Sequence, residues 1–439
     1  MLLGCIADDF TGATDLANNL VRNGMRVVQT IGVPDQPGSS IADADAVVVS
    51  LKSRTIAKSD AIAQSLEALQ WLRDAGCQQF YFKYCSTFDS TDEGNIGPVT
   101  DALMTALGTD FTIACPAFPA TGRTIFRGHL FVNDELLSDS SMQHHPLTPM
   151  TDANLVRVLQ RQTDRKVGLL RYDTIATGPK AVGAAIDQLR RDGVEIAIAD
   201  SLHDEDLHAL AKGCASLPLL TAGSGVAIGL PANFLASGSL APTDQAAALP
   251  AVKGPAVVIS GSCSSATLAQ VENFSQTNPR YRVDPLRLAK GPEELAKVLA
   301  EAIKTATDAQ SNGQAAVVHA SAEPAAVQAV QESLGREAAG ALIEDMLAQC
   351  ARELYAAGTR RFVVAGGETS GAVVQALSVH ALRIGPQIDP GVPWTETVVS
   401  RPDSDASDSK AKIALALKSG NFGAVDFFRK SLAMLDKAQ

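Results

Sequence analysis

Aromatic residues are scarce in this 439-residue chain: they make up 5% of it, although 46% is apolar. Ala, Val, Leu and Gly are plentiful instead, a composition suited to parallel sheets packed tightly under helices. Positive charge is also short, with 37 Lys and Arg against 48 Asp and Glu and no dense basic cluster. The net charge of −11 argues against nucleic acid or an anionic membrane as a partner, and leaves room for a small anionic ligand held by a few local donors. The seven cysteines (Cys5, Cys77, Cys85, Cys115, Cys214, Cys263 and Cys350) are scattered and odd in number. No C-x-x-C occurs, so neither a disulfide framework nor a zinc site is expected. The seven histidines show no metal-ligand spacing, and no other metal-ligand set is read from the chain. No apolar run approaches a membrane span, and no basic stretch leads an apolar run to a cleavage site. A cytoplasmic protein is expected.

Several catalytic signatures are missing as well. There is no G-x-x-x-x-G-K-[ST] phosphate loop and no G-x-S-x-G nucleophile elbow. Gly223-Ser224-Gly225-Val226-Ala227-Ile228-Gly229 has the spacing G-x-G-x-x-x-G. The residues about twenty further on read as a linker, not as a strand ending in a ribose-binding acid. An NAD-dependent oxidoreductase therefore lacks its fingerprint.

What is present is a repeated alternation of strand and helix. The length suggests about two to three domains. Apolar segments at 2–7, 46–50, 79–83, 111–115, 166–170, 195–199 and 217–221 read as strands. Helical patterns fall between most of them, at 59–75, 96–107, 179–192 and 205–213. Residues 237–254 are small, Pro-containing and weakly patterned, which suits a linker. A second series follows, with strands at 256–260, 315–319, 361–365 and 413–417 and helices at 266–273, 293–306, 335–357 and 370–377. Residues 402–410 read as a mobile polar loop. The expected class is α/β: two α/β domains with largely parallel sheets, 1–236 and 255–439, and a cleft between them. In such sheets ligands meet the segments that follow strand C-termini.

The most informative of these segments is Ile6-Ala7-Asp8-Asp9-Phe10-Thr11-Gly12-Ala13-Thr14-Asp15. Two adjacent carboxylates repel, and are better tolerated when a metal, a basic side chain or a substrate hydroxyl bridges them. The simpler role for Asp9 or Thr11 is a helix cap. Polar loops also follow the next strands. They carry Lys52 and Arg54, then Lys83, Ser86 and Asp89, then Arg123. Together with Asp8 and Asp9 they supply cations for a carboxylate and acids for hydroxyls, the mixture a small polyhydroxy acid needs. The alternative is that these cations simply pair with nearby acids. In the second half, three glycine-rich loops each follow a strand: Ser260-Gly261-Ser262-Cys263, Gly366-Gly367-Glu368-Thr369 and Lys418-Ser419-Gly420-Asn421-Phe422-Gly423. Glycine lets backbone approach a ligand, and helix N-termini attract anions, so three such loops point to a phosphate-rich ligand. Any one alone is also what an ordinary tight turn looks like.

These motifs, with Phe82-Lys83-Tyr84-Cys85-Ser86-Thr87-Phe88-Asp89-Ser90, resemble those of the four-carbon acid sugar kinase family, in the same order over nearly the whole chain. Leu51-Lys52-Ser53-Arg54 and Asn95-Ile96-Gly97-Pro98-Val99-Thr100 are most similar to the members acting on 3-oxo-tetronate. The resemblance implies an N-terminal sugar-acid-binding domain, a C-terminal nucleotide-binding domain and ATP-dependent phosphorylation of the acid's 4-hydroxyl. Threonate and erythronate are the alternative substrates, and a non-enzymatic sugar-acid sensor is the alternative of another class. ATP contacts are expected at Ser260, Ser262, Gly366, Gly367, Glu368, Thr369, Gly420 and Gly423. Mg²⁺ is expected to be held mainly by phosphate oxygens and water. Arg54, Lys83 or Arg123 is expected to take the substrate carboxylate, with Asp8, Ser86 and Asp89 in the same site. Asp9 is expected to orient the 4-hydroxyl and accept its proton. A second copy of the chain is left open as a partner.

Overall fold

The structure, a computed structural model, describes residues 1–34, 41, 43–145, 147–322, 324–400 and 410–437. The chain divides into two compact units, Met1–Ala247 and Ala248–Gln439. The expected polar loop at 402–410 lies outside the described residues except for Lys410, which begins a strand.

In the first unit the strands are β1 (Leu3–Ala7), β2 (Val27–Ile31), β3 (Ala46–Ser50), β4 (Gln79–Lys83), β5 (Thr112–Cys115), β6 (Arg123–Phe126), β7 (His129–Val132), β8 (Glu135–Leu136), β9 (Val167–Leu170), β10 (Ile196–Ala199) and β11 (Leu219–Ala222). Eight of them form a parallel sheet in the order β2-β3-β1-β4-β11-β5-β10-β9. β6, β7 and β8 make a small antiparallel sheet of their own. Every residue of β1, β3 and β4 is buried, which explains why their central residues do not alternate between apolar and polar. The helix Phe10–Arg22 turns Leu16, Leu20 and Val21 inward.

The chain runs from β1 outward to β2, returns to β3, then crosses to β4 on the other side of β1. That reversal is a topological switch point, where the loops after β1, β3 and β4 diverge and leave a crevice.

The second unit contains β12 (Ala256–Ser260), β13 (Arg280–Arg282), β14 (Ala316–His319), β15 (Arg361–Ala365), β16 (Ala381–Asp389), β17 (Val392–Ser400) and β18 (Lys410–Lys418), in the order β13-β14-β12-β15-β18-β17-β16. The first five in that order are parallel, and β17 and β16 are added antiparallel. The path from β12 to β13 and β14, then back across β12 to β15, repeats the reversal of the first unit. Its core includes Val258, Phe274, Val363, Trp394 and Phe428, with the Trp394 indole N–H donating to the Ser431 carbonyl at 3.0 Å.

The α/β architecture and the largely parallel pairing are as expected. The sequence reading omits β2, β13, the small sheet β6–β8 and the β16–β17 ladder. It also stops β18 short, at 413–417 instead of Lys410–Lys418. Helix limits differ by a few residues, as at Pro292–Ser311 and Gly367–Ala376.

Candidate functional site

The first unit gathers acids and two cations at its switch point. Asp8 and Asp9 leave β1, Arg54 follows β3, and Lys83 ends β4 with Asp89 six residues on. The Arg54 guanidinium donates to Asp8 through Nε (2.8 Å) and Nη2 (2.9 Å), to Asp9 through Nη2 (2.7 Å) and to Asp89 through Nη1 (3.5 Å). One side chain therefore binds three carboxylates, and the repulsion between Asp8 and Asp9 is answered inside the protein. Arg54, one of the three cations expected to take the substrate carboxylate, thus directs four N–H contacts to these acids, the one to Asp89 being long.

Asp9 has two structural duties. Its Oδ2 accepts from the Thr11 hydroxyl (2.8 Å) and from the Gly12 amide (3.1 Å), so it caps the helix Phe10–Arg22. Its side chain is nevertheless 26% exposed, against 6% for Asp8, which makes it the reachable carboxylate of the pair. Burial pushes the Asp9 carboxyl up, but Arg54 and Lys83, with the Thr11 and Gly12 hydrogen bonds, outweigh it and hold the group down at about 2. Burial dominates at Asp8 and raises its carboxyl despite Arg54. Asp15 is raised for the same reason, and its partner is the Ser224 hydroxyl.

Lys83 is 3% exposed, and its ammonium makes no hydrogen bond and no ion pair within 4 Å among the described residues. A Cβ placed on Gly12 would fall 2.5 Å from its Nζ, so the ammonium lies against the first turn of the helix Phe10–Arg22. A cation at a helix N-terminus is the wrong sign for the local dipole. An anion placed there would meet both the ammonium and the helix end. Thr87 and Asp89 form a 2.6 Å hydrogen bond in the loop after β4. Ser86 lies in the same loop, two residues before Phe88, which is held at φ 63°. Non-glycine residues with positive φ are costly and concentrate at ligand sites. Arg123 is placed apart, on β6, where it donates to the Thr121 carbonyl while its Nε is buried without a partner. It makes no contact with the acid cluster among the described residues.

In the second unit the switch point opens into a cavity of about 890 Å³. Gly261, Ser262 and Cys263 after β12, Gly366 to Thr369 after β15, and Gly420 after β18 line one side. Val283, Leu286, Val330 and Ile343 also line the cavity, with Arg282, Asp284 and Glu344 among them. Two helices begin here with different ends. Ser264 caps the helix Ser265–Ser275, accepting from the Thr267 amide at 3.2 Å. The helix Gly367–Ala376 has Gly366 at its cap and no side-chain capping bond. Its first intrahelical bond runs from the Ser370 amide to the Gly366 carbonyl (2.9 Å), which leaves the preceding amides for a ligand.

The glycines fit that role. Gly366 has φ +125°, a conformation that excludes side chains, and a Cβ on Gly420 would lie 2.5 Å from the Ser262 hydroxyl. At Gly367 a Cβ would meet nothing within 4 Å, so the protein itself does not require glycine there. What glycine keeps open is the approach of a ligand to the uncapped helix end. An apolar lobe beside an anion cradle suits a nucleotide, with its base on one side and its phosphates on the other.

Two of the expected residues do not line this cavity. Ser260 is fully buried, its hydroxyl 2.9 Å from that of Ser321, and it lies outside the cavity wall, which Ser262 reaches. Gly423 is a turn residue at φ +84° whose carbonyl accepts from Gln270 at 2.9 Å, and it too is outside the wall. Glu368 is exposed in the first helical turn. Lys418, buried under the loop it precedes, was not among the expected site residues. The cue in the sequence is a lysine directly after the apolar run 413–417.

Two family descriptions match the chain: a sugar-binding N-terminal domain over residues 3–230 and a nucleotide-binding C-terminal domain over residues 257–428. That pairing defines an enzyme that handles a sugar with a nucleotide. A relative from Burkholderia multivorans, named 3-oxo-tetronate kinase, is 61% identical over 437 residues, covering 100% of this chain and 98% of its own. One of the same name from Cupriavidus necator is 60% identical over 436 residues, covering 99% and 97%. A solved structure of a Salmonella typhimurium LT2 protein superposes with a TM-score of 0.89 at 42% identity, covering 98% of each chain. The chain belongs to the four-carbon acid sugar kinase family.

Proposed function

We propose that this protein transfers the γ-phosphoryl group of ATP to the 4-hydroxyl of 3-oxo-tetronate, giving 3-oxo-tetronate 4-phosphate and ADP. The observation that carries the substrate is full-length identity of about 60% to relatives named for that reaction. Threonate and erythronate kinases, and a non-catalytic sensor, have no comparable support.

In this reading ATP lies in the second unit's cavity. Its phosphates rest on the uncapped helix Gly367–Ala376, with Ser262, Thr369 and Gly420 around them. Magnesium travels with the nucleotide, held by phosphate oxygens and water. The acid binds at the first unit's switch point, its carboxylate on Lys83 and its hydroxyls on the acids that Arg54 fixes. Asp9 aligns the 4-hydroxyl. A carboxylate held at about 2 is a weak base, so its contribution is alignment first and proton acceptance as the new O–P bond forms. Phosphoryl transfer, in which positioning and charge stabilisation dominate, tolerates that. ATP as co-substrate supports a cytoplasmic location. No helix among the described residues is long and apolar enough to cross a membrane.

The test is coupled ADP release over a panel of four-carbon sugar acids with the purified chain. 3-Oxo-tetronate should turn over fastest. A clearly faster threonate or erythronate reaction reassigns the substrate, and no ADP release with any acid returns the sensor.

A further inference from the structure

Lys418 ends β18 with no exposure to solvent. Its ammonium donates to the Thr267 hydroxyl (3.0 Å), the Ser419 carbonyl (3.1 Å) and the Gly420 carbonyl (3.0 Å). Those three acceptors use its three hydrogens. The same Gly420 carbonyl also accepts from the Ser264 hydroxyl (2.6 Å) and the Thr267 hydroxyl (2.8 Å). A single carbonyl in the cavity wall is thus pinned by an ammonium and two hydroxyls. The backbone of Lys418 holds the second loop as well, its carbonyl accepting from the Gly366 amide at 2.9 Å.

Every partner of this ammonium is neutral, and among the described residues no carboxylate forms an ion pair with it. Buried charges are ordinarily paired, because desolvation of a lone charge is expensive. Here a source of negative charge lies close by, since Gly420, two residues on, lines the cavity proposed to hold ATP.

We propose that Lys418 is a positioning residue for the nucleotide: a buried ammonium, built in without an acid partner, that fixes the Gly420 wall and takes the bound triphosphate as its counter-charge. The inference rests on the assignment of that cavity to ATP. A carboxylate beside Lys418 would stabilise the empty protein but would weaken the pull on phosphate, so leaving it unpaired keeps the attraction for the ligand.

The charge state follows from the same burial, which lowers Lys418 to about 8. Ionisable residues on the surrounding elements and the cavity wall are Cys263 in the loop after β12, Glu272 and Glu368 on two of the helices, Arg361 and Glu396 on β15 and β17, Arg282 and Asp284 at and just after the end of β13, and Glu344 on the helix Arg336–Ala356. None of them contributes to the shift, which has burial as its only cause. A triphosphate nearby favours the protonated form and raises the pKa in the complex. Free protein must then take up a proton to bind ATP once the pH exceeds about 8, and affinity falls as pH rises.

The experiment is titration calorimetry of the full chain with ATP and magnesium chloride between about pH 7 and 9.5, in two buffers of different ionisation enthalpy. The Kd should hold steady up to about pH 8 and then rise roughly tenfold per pH unit, with uptake approaching one proton per ATP. Lys418→Met should bind more weakly, with a flat profile and no uptake, whereas Cys263→Ser should keep the uptake and so exclude the cavity thiol as its source. If Lys418→Met does not fold, the proton count of the wild-type chain and of Cys263→Ser still decides. Tight binding with a flat profile and no uptake overturns the role of Lys418 and leaves the nucleotide assignment standing. Uptake that disappears in Cys263→Ser overturns the role of Lys418 too. Absence of ATP binding at every pH overturns both.

Discussion

Asp9 shows how one side chain can combine a structural and a chemical role, and how substitution separates them. Asparagine caps helices about as well as aspartate, so Asp9→Asn should keep the helix Phe10–Arg22 while removing the charge that faces the acceptor hydroxyl. We expect a thermal midpoint close to wild type and kcat lower by roughly a hundredfold or more, measured by ADP release; near wild-type turnover would remove Asp9 from the reaction. Arg54 is the complementary case. Losing it by Arg54→Met leaves Asp8 and Asp89, both largely buried, without their cation, a loss of order 3 kcal/mol. The pH dependence has a definite sign. The Asp9 carboxyl, held at about 2 against an ordinary 3.8, contributes stability that is complete above about pH 4 and is lost as pH falls toward 2. Without Arg54 most of that contribution disappears. The stability deficit of the variant should therefore be largest near neutrality and shrink on acidification toward pH 4 and below, as the stranded acids take up protons. Urea denaturation at the two pH values checks this, and a deficit independent of pH would contradict the ion-pair account.

Among the elements, the uncapped helix Gly367–Ala376 carries the sharpest expectation. An Ala at Gly367 would touch nothing in the protein, and Gly→Ala at a compatible backbone position stabilises by about 0.4–1 kcal/mol through the unfolded chain. Gly367→Ala should therefore melt slightly higher than wild type yet have a KM for ATP raised roughly tenfold, because its methyl group occupies the ligand's approach to the helix amides. A mutant that gains stability and keeps its ATP affinity would show that no phosphate rests there. This helix start was visible in the sequence because its signal is local: an apolar strand, paired glycines, then a hydroxyl. Elements defined by distant partners were not. The β2 segment Val27–Ile31 contains Gln29 and Thr30 inside a buried strand. Its polarity makes sense only once Gln29 meets the Thr14 hydroxyl and the Phe10 carbonyl from the helix before it. β16 was hidden by Gly385 and Pro386, which look like a turn and instead sit in a ladder whose register slips there. The same limit applied to the site. Placing Arg54 near Asp8 needs only the switch point, but its commitment to three acids depends on β1, β3 and β4 lying side by side. The contrast between Ser260 and Ser262 comes from a two-residue offset at a strand end, where the first is still inside the sheet.

At the scale of the whole molecule the same strand order is used twice. In each unit the chain leaves the first strand, returns beside it and crosses over, and in each unit the ligand-type residues stand at that reversal. The two versions differ in charge. The first offers four buried or partly buried acids (Asp8, Asp9, Asp15 and Asp89) against Arg54 and Lys83. The second offers helix amides, hydroxyls and the buried ammonium of Lys418, with Arg282, Asp284, Glu344 and Glu368 also on the cavity wall. A polyol acid can donate its hydroxyls to the first set, and a triphosphate would be repelled by it. The second set suits a triphosphate through the free amides of its uncapped helix, which the first, capped by Asp9, lacks. Charge thus allocates the ligands, and the allocation is measurable without any mutation. In hydrogen exchange on the intact chain, ATP with magnesium alone should slow exchange in 261–264, 366–370 and 419–424, leaving 8–15, 52–55 and 83–91 unchanged. The sugar acid alone should do the reverse. Because the helix Gly367–Ala376 has no cap of its own, its first-turn amides should show the largest single gain, as ligand oxygens supply the acceptors they lack. Protection by ATP centred on the Asp8–Asp9 loop would reverse the assignment of the two units.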